Sequence, residues 1–397
     1  MINRVILNER SYFGRGARKK ALDELKEREL KRILIVTDHN LVREGIVDMV
    51  TKNFDRTTGI SYLVFDNVKE NPTSSIIKEG VEVAKHHGSD AIVAIGGGST
   101  IDTAKAIGII LTNPEFENVI SLENSSTKNK SLPIIAIPTT SGTAAEVTIN
   151  YVITDEKRVK KMVCIDPNDI PSVAIIDPDL MEKMPTKIAA TTDMDALTHA
   201  IEGYITKNAW LIPDMFHINA MSIIYKNLEK AVVNKEPKAI EKIAYAQYIA
   251  GMGFSNVGLG ITHSLAHSLG AYYDTPHGLA NAILLPHVLK FNGEKCPELV
   301  RNIGNAFGLD MKNLSDNEII DKVVDAIKQL EEKIGIPKNL EEIGISKEMI
   351  PTLAKQAIND VCTSGNPRET TIKDLVDIYE KAYKWEVTVN AKSKSKL

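Results

Sequence analysis

Five short β-rich runs, separated by helix-patterned segments, fill the chain between residue 30 and about residue 180. The runs are RILIVTD (32–38), SYLVFD (61–66), DAIVAI (90–95), LPIIAIP (132–138) and SVAIID (172–177). This alternation is typical of βαβ units, in which consecutive strands lie parallel in one sheet and helices cover its faces. The sequence therefore predicts an α/β amino-terminal domain built on a parallel sheet.

The pattern changes after MPTKIAATTD, where β-branched runs stop and apolar residues recur at helical spacing. ALTHAIEGYI, AIEKIAYAQYIAGMGF and EIIDKVVDAIKQLEEKI all show it. Because single hydrophobic cores stop growing near roughly 250–300 residues, a chain of 397 residues is expected to form two domains. We predict an α/β domain over 1–183, an all-α domain over 184–385, and a disordered tail over 386–397.

Charge and cysteine content limit the partners of the chain. Its 48 basic and 52 acidic residues give a net charge of −4, which predicts no binding to nucleic acid or to a membrane and favours a small-molecule partner. Cys164, Cys296 and Cys362 form no CxxC pair, as expected in a reducing compartment. No run of about 18 apolar residues occurs, so we predict a cytoplasmic protein. The terminal SKL would indicate peroxisomes only in a eukaryotic source.

A glycine turn follows the third β-rich run, in DAIVAIGGGSTIDTAKAIGII. Gly96 to Gly98 would let the backbone approach a phosphate, and the next helix, capped by Ser99 or Thr100, would direct free N–H groups at it. The dinucleotide fingerprint GxGxxG is not matched, so an ordinary tight turn is the alternative. The segment predicts an anion site.

Two further segments favour a dinucleotide. Asp38 ends the first β-rich run, where an aspartate accepts hydrogen bonds from ribose hydroxyls and repels a 2′-phosphate, which favours NAD over NADP. A helix cap before HNLVREGI is the alternative role. PTTSGTAAEV (138–147) offers hydroxyl and backbone donors for ribose and phosphate, or forms a simple turn.

Five side chains in two clusters suggest a metal site. His263 and His267 are four residues apart on one predicted helix, Asp195 and His199 are four apart on another, and His277 follows a break at Thr275–Pro276. One carboxylate with neutral imidazoles suits Fe(II) or Zn(II). Spacing alone selects His263 with His267 and leaves open which four of the five bind. A single helical histidine is more often a core residue, the role given to the other five histidines.

GGGSTIDTAK, PTTSGTAAEVT, DALTHAIEGY and GITHSLAHSLGAYYDTPHG, in this order and at these separations, resemble the iron-containing (group III) alcohol dehydrogenases over about residues 3 to 385. The resemblance implies a dehydroquinate synthase-like architecture, with a dinucleotide-binding α/β domain, a helical metal domain and an active site in the cleft between them. It also implies a homodimer, NAD as cofactor and iron as metal, although the donor set would also accept zinc.

The residues that match the family pattern imply specific roles. The implied metal ligands are Asp195, His199, His263 and His277, which places His267 near the nicotinamide and the substrate. Because His267 lies one helical turn from His263 and an imidazole titrates near neutral pH, we expect it to be the catalytic proton relay. The implied NAD contacts are Asp38, Asn71, Gly97, Gly98, Ser99, Asp102, Thr139, Thr140, Thr143 and Lys161. The implied substrate pocket consists of Asn150, Phe254 and Cys362. Asp193 departs from the family, where glycine is common, and is expected to point away from the metal and to cap the first helical turn.

The reaction that this resemblance implies is reversible hydride transfer between NAD(H) and a short-chain aldehyde or alcohol. Lactaldehyde and 1,2-propanediol are the favoured pair, with butanol or 1,3-propanediol as the alternative within the family. A dehydroquinate synthase-like cyclase is a distant alternative, because its phosphorylated acid substrate would need Lys and Arg around the metal. A non-enzymatic NAD-sensing or structural protein is the third hypothesis for the function.

Overall fold

A parallel sheet forms the amino-terminal half of the molecule, in a computed structural model that describes residues 2–384. The described residues form eight strands. Six of them make up the parallel sheet, in the order β1-β8-β5-β4-β2-β3, and β6 and β7 pair separately. The strands are β1 (Arg10–Phe13), β2 (Arg32–Val36), β3 (Ser61–Phe65), β4 (Ala91–Gly96), β5 (Ile134–Pro138), β6 (Asn150–Asp155), β7 (Lys160–Ile165) and β8 (Val173–Ile176).

All five predicted β-rich runs are strands of this sheet, and every pairing among them is parallel. The central strands β4, β5 and β8 are buried along their whole length. Burial on both faces explains why these runs read as continuous apolar stretches instead of alternating ones. The predicted α/β fold is confirmed.

Three strands were not predicted from the pattern. β1 has the sequence RSYF and lies at the edge of the sheet, where it is only partly buried, so it lacks an apolar run. β6 and β7 form an antiparallel hairpin, and β6 alternates buried with half-buried positions. This alternation reflects one covered face, which differs from the two covered faces of a parallel βαβ strand.

The strand order reverses between β2 and β4. From β2 the chain moves outward to β3, then returns to the other side of β2 to form β4 and continues to β5. In open parallel sheets a ligand crevice forms beyond the carboxyl ends of the strands at such a point. Asp38 and the Gly96–Gly98 turn follow β2 and β4 at this position.

Fourteen α-helices accompany the strands in the described residues, and no strand follows Ile176 there. They are α1 (Lys20–Glu27), α2 (His39–Arg43), α3 (Ile46–Thr51), α4 (Ser74–His87), α5 (Gly98–Thr112), α6 (Thr186–Ile205), α7 (Leu211–Val232), α8 (Pro237–Val257), α9 (Ile261–Tyr273), α10 (His277–Gly293), α11 (Pro297–Phe307), α12 (Asp316–Ile334), α13 (Ile350–Ala357) and α14 (Ile372–Tyr383).

The carboxy-terminal half is therefore helical, as predicted. Its central helix, α6, is buried almost all round and packs against α7, α8 and α10. No helix in residues 2–384 is long and apolar enough to cross a membrane. The predicted domain boundary at 183 falls between β8 and α6 and stays a prediction. The predicted tail over 386–397, with its SKL ending, lies outside the described residues.

Candidate active site

Four side chains from three helices converge at the inner end of the helical half. Asp195 and His199 lie on α6, His263 on α9 and His277 on α10, and one ligand atom from each lies within 4.8 Å of the others. The Asp195 carboxylate is at the centre, with Oδ2 3.8 Å from His199 Nδ1 and Oδ1 4.0 Å from His263 Nε2. Its Oδ1 is also 3.7 Å from His277 Nε2.

Local chain geometry explains this convergence. The i, i+4 spacing puts Asp195 and His199 on one face of α6. α9 ends because Asp274 takes the left-handed conformation, with φ at 53°. Pro276 then precedes α10, so that His277 is its first residue and faces back toward α9.

The protonation of these side chains suits a cation. Burial lowers the pKa of His199, His263 and His277, so all three imidazoles are neutral, which is the form that binds metal. Burial raises the pKa of Asp195, against the effect of His199 and a hydrogen bond from Asn281. His199 Nδ1 and His263 Nε2 are buried with no hydrogen-bond partner among the described residues. Two orphaned acceptors facing a carboxylate fit a divalent ion.

Glu202, which the sequence analysis did not identify, fixes the orientation of His263. Its Oε2 lies 2.7 Å from His263 Nδ1, and its Oε1 accepts a 2.7 Å hydrogen bond from the Thr262 N–H at the start of α9. A carboxylate on Nδ1 leaves Nε2 as the ligating atom and raises its basicity. Its position three residues after His199, in HAIEGY, was the only available signal.

Asn281 is the second residue that was missed. It is buried on α10, four residues after His277, and its Nδ2 donates a 2.7 Å hydrogen bond to Asp195 Oδ1. The same Nδ2 lies 3.1 Å from His277 Nε2. Asn281 therefore holds the carboxylate of α6 and the imidazole of α10 in a fixed relation.

His267 lies beside this cluster and outside it. Its ring stacks on that of His277, with centroids 5.3 Å apart, and its Nδ1 lies 2.8 Å from Asp360 Oδ2. Asp360 also accepts a 2.9 Å hydrogen bond from the Cys362 N–H. Burial and Asp360 raise the pKa of Cys362 well above its usual value, which keeps this group a thiol. The helical-spacing choice of His263 with His267 is thus not the set that the structure brings together.

The cluster opens into a cleft that contains about 710 Å³ of empty space, part of it open solvent. Ten of the predicted site residues line this cleft beside the histidines of the cluster: Asn71, Gly98, Ser99, Asp102, Thr143, Lys161, Asn150, Phe254, His267 and Cys362. Four predicted nucleotide residues are not among its lining residues: Asp38, Gly97, Thr139 and Thr140. One cavity therefore joins the glycine turn of the sheet half to the histidines of the helical half.

The glycine turn differs from the prediction in its cap. α5 begins at Gly98 with Gly97 as N-cap, so Ser99 and Thr100 lie inside the first turn and neither caps it. The cap was misassigned because an extended glycine serves as N-cap without a side chain. A Cβ on Gly98 would lie 2.6 Å from Thr143 Cγ2, and one on Gly97 would lie 3.2 Å from Thr140 Oγ1. The two glycines allow the 138–147 loop to pack onto the start of α5.

Asp38 has the capping role that was its alternative reading. It is the N-cap of α2, where its Oδ1 accepts hydrogen bonds from the backbone N–H groups of Asn40 and Leu41. Capping uses Oδ1 alone, so both roles are compatible. Thr139 is buried, and its backbone N–H donates a 3.0 Å hydrogen bond to the carbonyl of Gly96, at the carboxyl end of β4.

Asp193 does not cap a helix, and that expectation was wrong. α6 begins at Thr186, so Asp193 lies in its third turn, because the helix extends further toward the amino terminus than expected. Its buried Oδ1 accepts a hydrogen bond from Ser141 Oγ, and burial raises its pKa to about 7. Asp193 thereby attaches the 138–147 loop to α6.

The residues of the predicted substrate pocket, Asn150, Phe254 and Cys362, line the cleft that joins the glycine turn to the histidine cluster. Phe254 stacks on the ring of His199, with centroids 4.2 Å apart and planes inclined by 11°. The carbonyl of Asn150 accepts a 2.8 Å hydrogen bond from Lys105 Nζ, which is buried and also bonds the Thr148 carbonyl at 2.6 Å. The Phe254 ring on His199 and the fixed start of β6 at Asn150 would together shape a narrow site.

Family models match almost the whole chain. The model "Iron-containing alcohol dehydrogenase" covers residues 8–178, and "Fe-containing alcohol dehydrogenase family, C-terminal" covers residues 189–383. Lactaldehyde reductase of Escherichia coli (strain K12) is 52% identical over 384 residues, which are 96% of this chain and 100% of that protein. The chain belongs to the iron-containing alcohol dehydrogenase family.

Two further proteins are similar to this chain over nearly its whole length, at lower identity. The NAD-dependent methanol dehydrogenase of Bacillus methanolicus is 42% identical over 377 residues, covering 94% of this chain and 97% of that protein. The crystal structure of a 1,3-propanediol oxidoreductase superposes with a TM-score of 0.92 at 36% identity, covering 96% of this chain and 100% of the other. The sheet and the helices therefore form an architecture that this chain shares with that structure.

Proposed function

We propose that the protein catalyses reversible hydride transfer between NAD(H) and a short-chain aldehyde or alcohol, with lactaldehyde and 1,2-propanediol as the preferred pair. The observation that carries the proposal is the cleft that joins the Asp195, His199, His263 and His277 cluster to the Gly98 turn. The 52% identity to a lactaldehyde reductase supports the substrate. NAD is supported by the NAD-dependent methanol dehydrogenase among the relatives.

Asp195, His199, His263 and His277 are proposed to hold one divalent ion. Iron is favoured by the family name, and one carboxylate with three imidazoles would also accept zinc. A bound ion would act as a Lewis acid toward the carbonyl oxygen of the substrate. Glu202 would keep His263 in position, and Asn281 would do so for Asp195 and His277.

The nucleotide is proposed to bind along the sheet side of the cleft. The N–H groups at the start of α5, next to Gly97, Gly98 and Ser99, carry no side-chain cap and would receive the pyrophosphate. Asp38 would accept hydrogen bonds from the adenosine ribose at the carboxyl end of β2. The remaining proposed contacts are Thr139, Thr140, Thr143, Asn71, Asp102 and Lys161.

His267 is proposed to deliver the proton that the reduced product needs. Asp360 accepts from Nδ1, so Nε2 is the ring atom left to exchange a proton with substrate or water. Replacing His267 with Ala is expected to leave the metal content unchanged and to lower kcat by about 10²–10⁴-fold. Turnover at the wild-type rate in a metal-loaded His267→Ala variant would contradict the relay.

Asn150, Phe254 and Cys362 are proposed to form the wall that limits substrate size. One methylene in such a pocket discriminates by roughly 1–3 kcal/mol, so propanal and butanal are expected to react more slowly than lactaldehyde without being excluded. The further proposals are a homodimer, a cytoplasmic location and the domain division at 183.

An anaerobic assay of NADH consumption tests the proposal. Metal-stripped protein is supplied separately with Fe(II) and Zn(II), and lactaldehyde is compared with propanal, butanal and 3-hydroxypropanal, with Asp195→Asn as control. We expect activity with added metal, highest kcat/KM on lactaldehyde and no activity in the control. Absence of NADH oxidation with every metal and aldehyde would refute the dehydrogenase proposal. A higher kcat/KM on another aldehyde would refute lactaldehyde as the preferred substrate.

A further inference from the structure

One face of α9 contributes to the proposed metal cluster and also contacts the sheet half. His263, His267, Gly270 and Asp274 are spaced by four, three and four residues, which places them in one stripe along the helix. The first two belong to the site described above. Gly270 and Asp274 continue the stripe toward the sheet half, where they meet Lys161 of β7 and Asn71.

Gly270 provides the space in which the Lys161 side chain lies. A Cβ on Gly270 would lie 2.8 Å from Lys161 Cε and 3.2 Å from its Nζ. Gly270 has no left-handed conformation to explain a glycine inside α9. Glycine there costs helix stability relative to alanine, so close packing against Lys161 is the physical reason for it.

A chain of hydrogen bonds continues from Lys161 to Asp274. Lys161 Nζ donates to Asn71 Oδ1, and Asn71 Nδ2 donates to Asp274 Oδ1. Only the amide oxygen can face an ammonium, and only the amide nitrogen can face a carboxylate, so the Asn71 amide has one possible orientation. Asn71 and Asp274 both have positive φ, at 55° and 53°.

The interactions at the buried and the exposed end of this hydrogen-bond chain differ in strength. Lys161 and Asn71 are buried, and burial lowers the pKa of Lys161 to about 8 against the opposing effect of Asp274. Asp274 is exposed, so water and salt weaken its attraction for Lys161. Contact with Gly270 is therefore expected to position Lys161 more strongly than the charge of Asp274 does.

We propose that Gly270 and Asp274 are positioning residues that hold Lys161 and Asn71 in the geometry that binds the nicotinamide nucleotide. The inference rests on the proposed function, in which Lys161 and Asn71 contact NAD. It adds that α9, through two residues of this stripe that are not proposed metal ligands, sets the affinity of the sheet half for the nucleotide.

Binding of NADH to the metal-loaded protein, followed by nucleotide fluorescence, tests the inference. In Gly270→Ala, the new Cβ displaces the Lys161 ammonium, and we expect the Kd for NADH to rise about tenfold, the loss of one charge-assisted hydrogen bond. Metal content should stay unchanged, and the melting temperature should not fall, because alanine favours the helix. In Asp274→Asn, which keeps the tolerance for positive φ, we expect a rise of about threefold that disappears at 1 M salt.

The exposed Asp325→Asn variant on α12 is the matched charge control and should bind NADH like wild type. A folded Gly270→Ala protein with a Kd within twofold of wild type would overturn the inference. If that variant does not fold, an unchanged Kd in Asp274→Asn at low salt overturns it. An Asp325→Asn effect equal to that of Asp274→Asn would also do so. Failure of the wild-type protein to bind NADH would instead refute the proposed function.

Discussion

Glu202 shows how one buried carboxylate can organise a proposed metal site without being one of the proposed ligands. Its two oxygens accept from His263 Nδ1 and from N–H groups at the start of α9, so the side chain caps the helix and orients the ligand together. Burial raises the pKa of Glu202, and the backbone hydrogen bonds act against this rise. The N–H groups of α9 thus stabilise the charged form of Glu202, and the carboxylate in turn caps α9.

Replacing Glu202 with Gln is expected to weaken metal binding. A glutamine has one accepting oxygen, so it cannot serve both His263 Nδ1 and the Thr262 N–H as the carboxylate does. We expect a 10–100-fold loss of metal affinity, measured by competition with a chelator, with the fold retained by circular dichroism. Unchanged affinity would mean that His263 is oriented by packing alone.

Replacing Asp38 with Asn is expected to relax the choice of nucleotide. Asparagine caps a helix as well as aspartate does, so α2 should be preserved. The change removes the negative charge proposed to repel a 2′-phosphate. The ratio of kcat/KM for NADPH to that for NADH should rise at least tenfold. A constant ratio would show that the carboxylate does not face the ribose.

The choice among five candidate ligands illustrates what sequence spacing leaves undecided. His263 and His267 share a face of α9, but their ring centroids lie 6.2 Å apart, whereas those of His263 and His277 lie 5.3 Å apart. A neighbouring helix supplies the nearer partner because Asp274 and Pro276 turn the chain back. Helical periodicity predicts which residues share a face and cannot predict which helix packs opposite. Asp360 had no sequence signal for the same reason.

At the scale of elements, the β4–α5 turn combines two requirements. Gly98 must allow the 138–147 loop to approach and also leave the first N–H groups of α5 open. Replacing Gly98 with Ala would place a Cβ against Thr143 and at the proposed pyrophosphate position. We expect the Kd for NADH to rise more than tenfold in a folded protein that keeps its metal, measured by fluorescence titration and metal analysis. Wild-type affinity would place the nucleotide elsewhere.

The elements that sequence predicted were those with a continuous apolar signal. β2, β3, β4, β5 and β8 fall within two residues of their predicted runs, since strands of a covered parallel sheet are recognisable without knowledge of their neighbours. The β6–β7 hairpin and β1 depend on surroundings that spacing does not reveal. The predicted N-cap of α5 was wrong for a local reason, because Gly97 caps the helix in place of the expected hydroxyl residue.

At the scale of the whole molecule, metal should stabilise the fold. The ligands come from α6, α9 and α10, so an ion that binds them connects three helices of one core. A ligand that binds only the native state at 100 times its Kd contributes about 2.7 kcal/mol. Fe(II) or Zn(II) should therefore raise the melting temperature of stripped protein, measured anaerobically by calorimetry. The rise should be absent in His199→Ala, and an equal rise in that variant would mean that the ion binds elsewhere.

The proposed nucleotide contacts lie between Asp38 and Lys161, and the proposed metal ligands between Asp195 and His277, so the two sets occupy separate stretches of sequence. Homologous recombination with a crossover between β8 and α6 would exchange one set intact and leave the other untouched. Compatibility in such chimeras would depend on the many contacts that join the halves, among them Lys161 with Gly270, Ser141 with Asp193 and Glu146 with Gln247. Libraries that shuffle nucleotide preference against metal preference therefore need to co-vary the positions of this shared boundary, including the buried cluster to which both halves contribute.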